Sequence, residues 1–202
     1  MTSPASPADL YCVMGNPAAH SRSPAIHARF AELTGEHIAY ERRLVPMDGF
    51  AQGVRAFAAE GGRGCNVTVP FKTEAPGLAT ECSERVRLAG AANTLTFRAD
   101  GSIYADNTDG LGLVADITRN AGVPLAGRDV LLVGAGGAAA GVLGPLLLAG
   151  ARHITVANRT LAKAQALVQS HSTLAALQKA ELSAQDPLAL SAYFDVIINA
   201  TA

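Results

Sequence analysis

The sequence predicts an α/β protein built on mainly parallel sheets. Short apolar runs alternate with segments whose apolar residues recur at helical spacing, along nearly all of the 202 residues. The alternation pauses at Gly122-Val123-Pro124 and resumes with an apolar run over 129–133, which indicates two domains. A glycine-rich turn follows that run directly. We therefore expect an α/β domain over 1–108, a connecting helix over 109–123 and a doubly wound domain over 124–202.

The elements of the first domain each have a local signal. A strand over 10–14 ends at Gly15-Asn16-Pro17, and Ser23-Pro24 predicts a helix N-cap followed by proline at the first helical position. Asp48 is expected to cap a second helix, which Gly61-Gly62 ends. The other predicted elements are a helix ending at Gly35, strands over 38–45 and 65–69, a hairpin of 93–98 with 102–104, and a helix ending near Gly122.

The second domain repeats the alternation of strand and helix. Predicted strands cover 129–133, 153–157 and 195–199, and predicted helices run from the glycine-rich turn to Gly150 and from Thr160 to Gln169. This repeat is typical of a doubly wound sheet. Because the chain stops after the last of these strands, we expect the domain to be incomplete at its C-terminal end. An apolar edge left there would favour instability or association.

Composition excludes several classes of function. The net charge of -1 gives no reason to expect nucleic acid or an anionic membrane as a partner, and no segment is suited to span a bilayer. Residues 1–9 lack both a basic and an apolar stretch, so they predict a frayed start and no signal peptide.

Cys12, Cys65 and Cys82 lack metal-ligand spacing, which favours idle thiols in a reducing cytoplasm and no metal site. A monomer and a homodimer both stay open.

The turn after the strand over 129–133 has the chemistry of a dinucleotide site. Its residues, Gly134-Ala135-Gly136-Gly137-Ala138-Ala139, match G-x-G-x-x-A between a strand and a helix. Gly134 permits the tight turn, Gly136 lets the backbone approach a pyrophosphate, and Ala139 lets the helix pack on the strand. The N–H groups at the helix start can then hold phosphates. The alternative is a glycine turn that serves helix packing only.

The end of the following strand favours NADP over NAD. Asn158-Arg159-Thr160 stands where an NAD site would place an acid for the ribose 2′-hydroxyl. Arg159 can pair with a 2′-phosphate, and Lys163 lies one turn further along the predicted helix. An ordinary surface arginine is the alternative, but the missing acid makes NADP the preferred cofactor.

Polar clusters stand in otherwise apolar or Gly/Ala-rich surroundings. They cover 16–24, 66–72, and 93–94 together with 106–110. The first two follow predicted strands, and ligands in an open α/β sheet bind at the carboxyl ends of strands. We therefore expect a small-molecule site there.

In chain order, these motifs resemble the shikimate dehydrogenase family. G-N-P-x-x-H-S-x-S-P, N-V-T-V-P-F-K, A-G-A-x-N-T and D-N-T-D-G precede G-A-G-G-A and N-R-T, and the likeness covers 11–201. The resemblance implies an N-terminal substrate domain followed by a Rossmann-type NADP domain. It also implies reversible NADPH-dependent reduction of 3-dehydroshikimate to shikimate, in the biosynthesis of chorismate and aromatic amino acids.

The resemblance further implies which residues bind substrate and cofactor. Ser21 and Ser23 would bind the substrate carboxylate through their hydroxyls, and Thr68 and Asn93 would bind ring hydroxyls. Glu84 would lie near the cofactor. Ser21 as a turn residue, Ser23 as an N-cap and Asn93 as a backbone partner in the hairpin are the structural alternatives.

By the same resemblance, Lys72 and Asp109 would form the catalytic pair, and both would also bind the substrate, Asp109 at a ring hydroxyl. Oxidising a secondary alcohol requires that its proton be removed while hydride leaves for the nicotinamide. A lysine and a neighbouring carboxylate can share that work, and which one is formally the base stays open because their titrations are coupled. Lys72 as a solvated surface residue and Asp109 as a helix cap are the alternatives.

Other functions stay open at this point. A quinate/shikimate dehydrogenase that uses NAD has the same architecture, although Arg159 and the missing acid argue against NAD. A non-catalytic NADP-binding paralogue would not require both Lys72 and Asp109. A dehydrogenase of the methylenetetrahydrofolate type has no evident use for the S-x-S-P cluster. Ala140 stands where the family often has a basic residue, which weakens a peripheral phosphate contact.

Overall fold

The structure is a computed structural model that describes residues 7–201. Residues 1–6, most of the start expected to be frayed, and residue 202 lie outside the described part. Strands and helices alternate along the described residues, which confirms the predicted α/β class. The strands are β1 (Asp9–Gly15), β2 (Ile38–Leu44), β3 (Gly62–Val67), β4 (Glu81–Cys82), β5 (Thr94–Phe97), β6 (Ile103–Asp106), β7 (Asp129–Val133), β8 (His153–Ala157), β9 (Glu181–Gln185) and β10 (Val196–Asn199).

The α-helices are α1 (Ser23–Thr34), α2 (Phe50–Ala59), α3 (Glu84–Ala89), α4 (Asp109–Ala115), α5 (Gly137–Leu148) and α6 (Leu161–Gln178). Short 3₁₀ helices cover Phe71–Thr73, Ala75–Leu78 and Pro187–Ala189, and a π-helical turn, Asp116–Asn120, continues α4. Within the described residues, no helix is long and apolar enough to cross a membrane.

One compact unit comprises residues 1–81, of which 7–81 are described, together with 93–105. Its sheet has the strand order β2-β1-β3-β5-β6-β4. Strand β1 runs parallel to both β2 and β3, so the carboxyl ends of these three strands meet at one edge. Helix α2 buries Phe50, Val54 and Phe57, which recur at the spacing of a single helix face.

The second compact unit comprises residues 82–92 and 106–202. Its sheet has the order β10-β7-β8-β9, with all neighbouring strands parallel. Helix α5 is buried from Ala139 to Leu147, because it is apolar on every side and lies in the core of this unit. Leu132 of β7 and Val156 of β8 pack in the same core. The division at 108 and 123 that we drew from the sequence stays a prediction.

The start of α1 differs from the prediction that Ser23 is its N-cap. Arg22 is the N-cap, and Ser23 and Pro24 are the first two helical residues. The Ser23 hydroxyl accepts a hydrogen bond from Ser21 Oγ at 3.1 Å, so it is engaged beside the helix end and does not cap it. At α2, likewise, Gly49 is the N-cap in place of Asp48 and no side chain caps the helix.

Other boundaries differ as well. Strand β3 begins at Gly62, earlier than the predicted Cys65, and ends before Thr68. Helix α6 continues to Gln178, well past the predicted end at Gln169. Lys179 ends it in the left-handed conformation, at a φ of 55°. Strands β4 and β9 and helix α3 were absent from the prediction.

Candidate active site and cofactor site

The first polar cluster meets the second at the carboxyl ends of β1 and β3. Asn16 N donates to the Val69 carbonyl at 2.9 Å, and Thr68 N donates to the Met14 carbonyl at 2.9 Å. A side chain at Gly15 would collide with Thr68 and approach the Val69 oxygen to 3.1 Å. The two loops therefore touch at a point where only glycine fits.

Ser21 and Ser23 form a pair of hydroxyls beside this edge. Ser21 Oγ donates to Ser23 Oγ at 3.1 Å and accepts from Ser23 N at 3.3 Å. Arg42 of β2 fixes the turn, since its Nε and Nη2 donate to the Ser21 carbonyl at 2.9 and 2.6 Å. Both serines are half-buried. Two adjacent hydroxyls can together donate to the two oxygens of a carboxylate.

Lys72 is carried by the 3₁₀ helix that follows Thr68. Phe71 anchors this helix: its side chain is buried, and its ring stacks on Phe50 of α2 with centroids 4.8 Å apart. Phe71 N also donates to the Thr68 carbonyl at 3.0 Å. Thr68 and Lys72 are both half-buried, so the second cluster presents a hydroxyl and an ammonium from one rigid turn.

Asn93 is held by its neighbours in the same unit. Its carbonyl accepts from Val67 N at 2.7 Å, at the end of β3. Its side-chain oxygen accepts from the Thr94 hydroxyl at 2.9 Å. Only 9% of its surface is exposed. A buried amide bonded at its oxygen end is a well-placed donor for a small polar ligand.

In the second unit, hydrogen bonds to the Asp106 carboxylate hold the loop that precedes α4. Arg85 of α3 donates to both Asp106 oxygens, at 3.2 and 2.6 Å, and Ser83 Oγ donates at 2.7 Å. Partial burial acts to raise the pKa of Asp106, but these hydrogen bonds outweigh it and hold the pKa below its usual value. Arg85 Nε also donates to the Asn107 carbonyl at 3.1 Å, so one guanidinium fixes two consecutive residues.

Asp109 is the first residue of α4, and Thr108 is the N-cap. The backbone N–H of Asp109 donates to Asn107 Oδ1 at 3.2 Å. Asn107 is buried, and its Nδ2 donates to the Ala91 carbonyl at 2.9 Å. A Cβ atom on Gly141 would lie 2.8 Å from that same Nδ2. Asn107 therefore joins the start of α4 to α5, the helix that follows the glycine-rich turn.

The glycine-rich turn has the geometry that the sequence predicts for a phosphate site. Gly134 adopts a φ of 114°, and a Cβ atom there would lie 2.8 Å from the Ala200 oxygen. Gly136 is the N-cap of α5, and nothing lies within 4 Å of where its Cβ would be. Ala139 is fully buried against the sheet. The N–H groups of Gly137 and Ala138 lie in the first turn of this 12-residue helix, where they suit an anion.

The residues expected to bind the 2′-phosphate follow β8. Arg159 is exposed, and Asn158 Nδ2 donates to the Thr160 carbonyl at 2.9 Å, which fixes the turn around it. Thr160 is the N-cap of α6, and the exposed Lys163 lies in its first turn. Glu84, also in this unit, is the exposed first residue of α3.

Several residues take part in the site without having been singled out from the sequence. Asn66 lies within the second cluster and Asn107 lies within D-N-T-D-G. Their positions as polar residues inside these motifs could have identified them as site residues. Tyr40, whose hydroxyl donates to Asn66 Oδ1 at 2.6 Å, had no such signal, and neither had Arg85. Their partners are 26 and 21 residues away along the chain, and only the fold brings them together.

A glycine-rich turn between the first strand and the first helix of a parallel sheet defines a dinucleotide-binding α/β protein. A model of the shikimate dehydrogenase substrate-binding domain matches residues 13–95, and a model of shikimate / quinate 5-dehydrogenase matches 116–202. The chain belongs to the shikimate dehydrogenase family, as its motifs predicted.

Several relatives bear the name shikimate dehydrogenase (NADP(+)). That of Verminephrobacter eiseniae is 80% identical over 195 residues, which cover 96% of this chain and 68% of the relative. That of Paracidovorax citrulli is 68% identical over 202 residues, which cover 100% of this chain and 72% of the relative. The chain thus spans roughly 70% of the length of these relatives.

Solved structures resemble the chain over the same extent. An Ael1 enzyme from Pseudomonas putida is 44% identical, with a TM-score of 0.84, over 96% of this chain and 69% of its own. Shikimate 5-dehydrogenase from Thermus thermophilus, solved in complex with NADP(H) and shikimate, is 30% identical with a TM-score of 0.80, over 96% and 68%. Both likenesses span the two compact units.

Proposed function

We propose that this chain is an NADP-dependent shikimate dehydrogenase, which reversibly reduces 3-dehydroshikimate to shikimate in the biosynthesis of chorismate and aromatic amino acids. The observation that carries the proposal furthest is the 80% identity to a relative named shikimate dehydrogenase (NADP(+)). The open backbone at Gly136, at the start of α5, agrees with it because a pyrophosphate needs close approach there.

The proposed roles follow the chemistry of each side chain. Ser21 and Ser23 bind the substrate carboxylate, and Thr68, Asn93 and Asp109 bind ring hydroxyls. NADP, when bound, accepts or supplies the hydride. Lys72 and Asp109 take up the hydroxyl proton as the alcohol becomes a ketone and return it in the reverse direction.

The proposed cofactor contacts lie in the second unit. The backbone over 134–138 receives the pyrophosphate, and Asn158, Arg159, Thr160 and Lys163 receive the 2′-phosphate. Glu84 lies toward the cofactor in this proposal. Together with the buried, free Cys12 and Cys65, the cofactor choice suits a cytoplasmic enzyme, acting as a monomer or a homodimer.

The decisive experiment follows NADPH formation from shikimate and NADP. Lys72→Ala is expected to lower kcat/KM by about a hundredfold to ten-thousandfold, the range for a positioned proton-transfer group. Lys179→Asn is the matched control, because it removes a lysine outside the proposed site and asparagine tolerates the left-handed conformation. Equal loss in both variants would contradict a catalytic role for Lys72.

Binding measurements separate the remaining possibilities. Calorimetry with shikimate, quinate, NADP and NAD should show preference for shikimate and NADP. Preference for quinate and NAD would favour the quinate/shikimate enzyme. Tight NADP binding without shikimate binding would favour the non-catalytic paralogue and refute the dehydrogenase.

A further inference from the structure

A directed series of hydrogen bonds runs from strand β2 to Asn93. Tyr40 donates its hydroxyl to Asn66 Oδ1 at 2.6 Å. Asn66 Nδ2 donates to the Thr94 hydroxyl and to the Asn93 carbonyl, each at 3.3 Å. The Thr94 hydroxyl in turn donates to Asn93 Oδ1 at 2.9 Å. Every side chain in the series belongs to the first compact unit.

The direction of donation sets the orientation of the amides. Because Asn66 Oδ1 accepts from Tyr40, the opposite end of that amide, Nδ2, faces Thr94. The Thr94 hydroxyl has one proton, and since it accepts from Asn66 it gives that proton to Asn93. Asn93 is thereby oriented with its oxygen inward and Nδ2 as its donor end.

Tyr40 is well suited to start such a series. Burial raises the pKa of its hydroxyl above the ordinary value, which favours the protonated form that donates. The ring is fixed by His27 of α1, which stacks on it with centroids 4.2 Å apart and planes 5° apart. Burial also lowers the pKa of His27, against a hydrogen bond to Asn66 that acts to raise it, and the net effect favours a neutral ring in this stack.

We propose that Tyr40 is a positioning residue for substrate recognition, which acts through Asn66 and Thr94 to present the Asn93 amide as a donor to a ring hydroxyl. The inference rests on the proposed function, in which Asn93 binds such a hydroxyl. Tyr40 itself touches no substrate in this scheme. Its hydroxyl matters because it sets the orientation of the Asn66 amide and, through Thr94, that of the Asn93 amide.

A double-mutant cycle on shikimate binding tests this role. Calorimetry on the full chain compares the wild type, Tyr40→Phe, Asn93→Ala and the double variant. Tyr40→Phe is expected to weaken shikimate binding about threefold to tenfold, the effect of one hydrogen bond. In the Asn93→Ala background it is expected to cause no further loss. A purely structural role would weaken both backgrounds by the same factor.

Two controls sharpen the result. Tyr11→Phe removes a tyrosine hydroxyl from the neighbouring strand β1 and should leave shikimate affinity unchanged. Tyr40 also has a hydrogen bond with Ser23, a residue proposed to bind the carboxylate, so its loss affects both acids alike. Cyclohexenecarboxylate keeps the carboxylate but lacks the ring hydroxyls, so its affinity should fall less than that of shikimate in Tyr40→Phe. Equal loss of affinity for both acids would overturn the inference.

The failures of the two proposals are distinguishable. Wild-type protein that binds no shikimate would refute the proposed function. Wild type and Tyr40→Phe with equal shikimate affinity, or additive losses in the cycle, would refute this inference alone. A ligand-free readout stands beside them: NMR should show faster exchange of the Asn66 and Asn93 side-chain amide protons in Tyr40→Phe, and unchanged exchange would refute the hydrogen-bond series directly.

Discussion

Arg159 is the residue on which the choice of cofactor depends in our proposal. It is exposed directly after β8, in a turn fixed by the bond from Asn158 to the Thr160 carbonyl. A charge-assisted hydrogen bond to a phosphate contributes about 1.5–3 kcal/mol. Arg159→Ala should therefore weaken NADP binding about tenfold to a hundredfold and leave NAD binding nearly unchanged, as measured by calorimetry with each cofactor.

The control for this prediction is Arg29→Ala, which removes an exposed arginine from the first unit, where Arg29 pairs with Glu32. Both cofactors should bind this variant as they bind the wild type. If Arg159→Ala weakened NAD and NADP equally, Arg159 would support the turn and not the 2′-phosphate.

At the residue scale, the sequence predicts side chains whose motifs are local and misses those whose partners are distant. Ser21 and Ser23 lie two positions apart, and the structure places their hydroxyls in contact. Thr68 and Lys72 share one turn and could be proposed together for the same reason. Tyr40 and Asn66 are 26 residues apart and meet only because β2 and β3 flank β1. Local spacing carries no information on such a pair.

At the scale of elements, α4 and the loop before it approach α5 closely because Gly110 and Gly141 carry no side chain. A Cβ atom on Gly110 would lie 2.5 Å from the Gly141 oxygen, and one on Gly141 would lie 2.8 Å from Asn107 Nδ2. Either contact is too short for real atoms, so a methyl group at Gly110 must displace one helix, and a methyl group at Gly141 must displace the buried Asn107 side chain. Gly110→Ala and Gly141→Ala should each destabilise the second unit by about 1–3 kcal/mol. Urea denaturation followed by circular dichroism measures this.

Gly112→Ala is the matched control for these variants. It lies in the same helix α4, is exposed, and has nothing within 4 Å of the position of its Cβ. Alanine there should leave stability unchanged or raise it by about 0.5–1 kcal/mol, because it lowers the entropy of the unfolded chain. Equal destabilisation by all three substitutions would attribute the effect to glycine in helices and not to the α4–α5 contact.

The elements that the sequence predicted are those that end at clear turn residues or that carry a long repeating pattern of apolar residues. The sequence predicted β7, the glycine-rich turn and β8 at their observed residues. Each of these strands is a short apolar run, and glycines mark where the turn begins. Strand β4 has two residues and helix α3 has six, too few to show a period. Strand β9, with only half-buried or exposed residues, lacks the apolar run that marks a buried strand. Its place is fixed by parallel pairing with β8.

At the scale of the whole molecule, each compact unit contains a histidine that burial keeps neutral. His27 lies in the first unit and His171 in the second, and burial lowers the pKa of each below the ordinary value. His171 Nδ1 lies 2.9 Å from Ser170 Oγ, while its Nε2 is buried without a hydrogen-bond partner in the structure. A proton added at that nitrogen would have no acceptor, so the folded state resists protonation.

The sign of the effect on stability follows from which state binds more protons. As pH falls below about 6.5, histidines in the unfolded chain protonate while His27 and His171 in the folded chain do not. The free energy of unfolding therefore decreases, and the decrease levels off once the folded histidines also protonate.

A separate decrease in the free energy of unfolding is expected below about pH 4, because hydrogen bonds lower the pKa of Asp106 in the folded state and its protonation breaks them.

The histidine part of this profile can be isolated with His171→Leu. Leucine removes both the titrating ring and its unpartnered nitrogen, so stability near pH 7 should change by about 1 kcal/mol or less. Below about pH 6.5, and until the folded histidine also protonates, the slope of unfolding free energy against pH should become shallower by up to about 1.4 kcal/mol per pH unit. Urea titrations at several pH values measure the slope. A slope that His171→Leu does not alter would mean that the acid sensitivity arises elsewhere, with His27 in the first unit the next residue to replace.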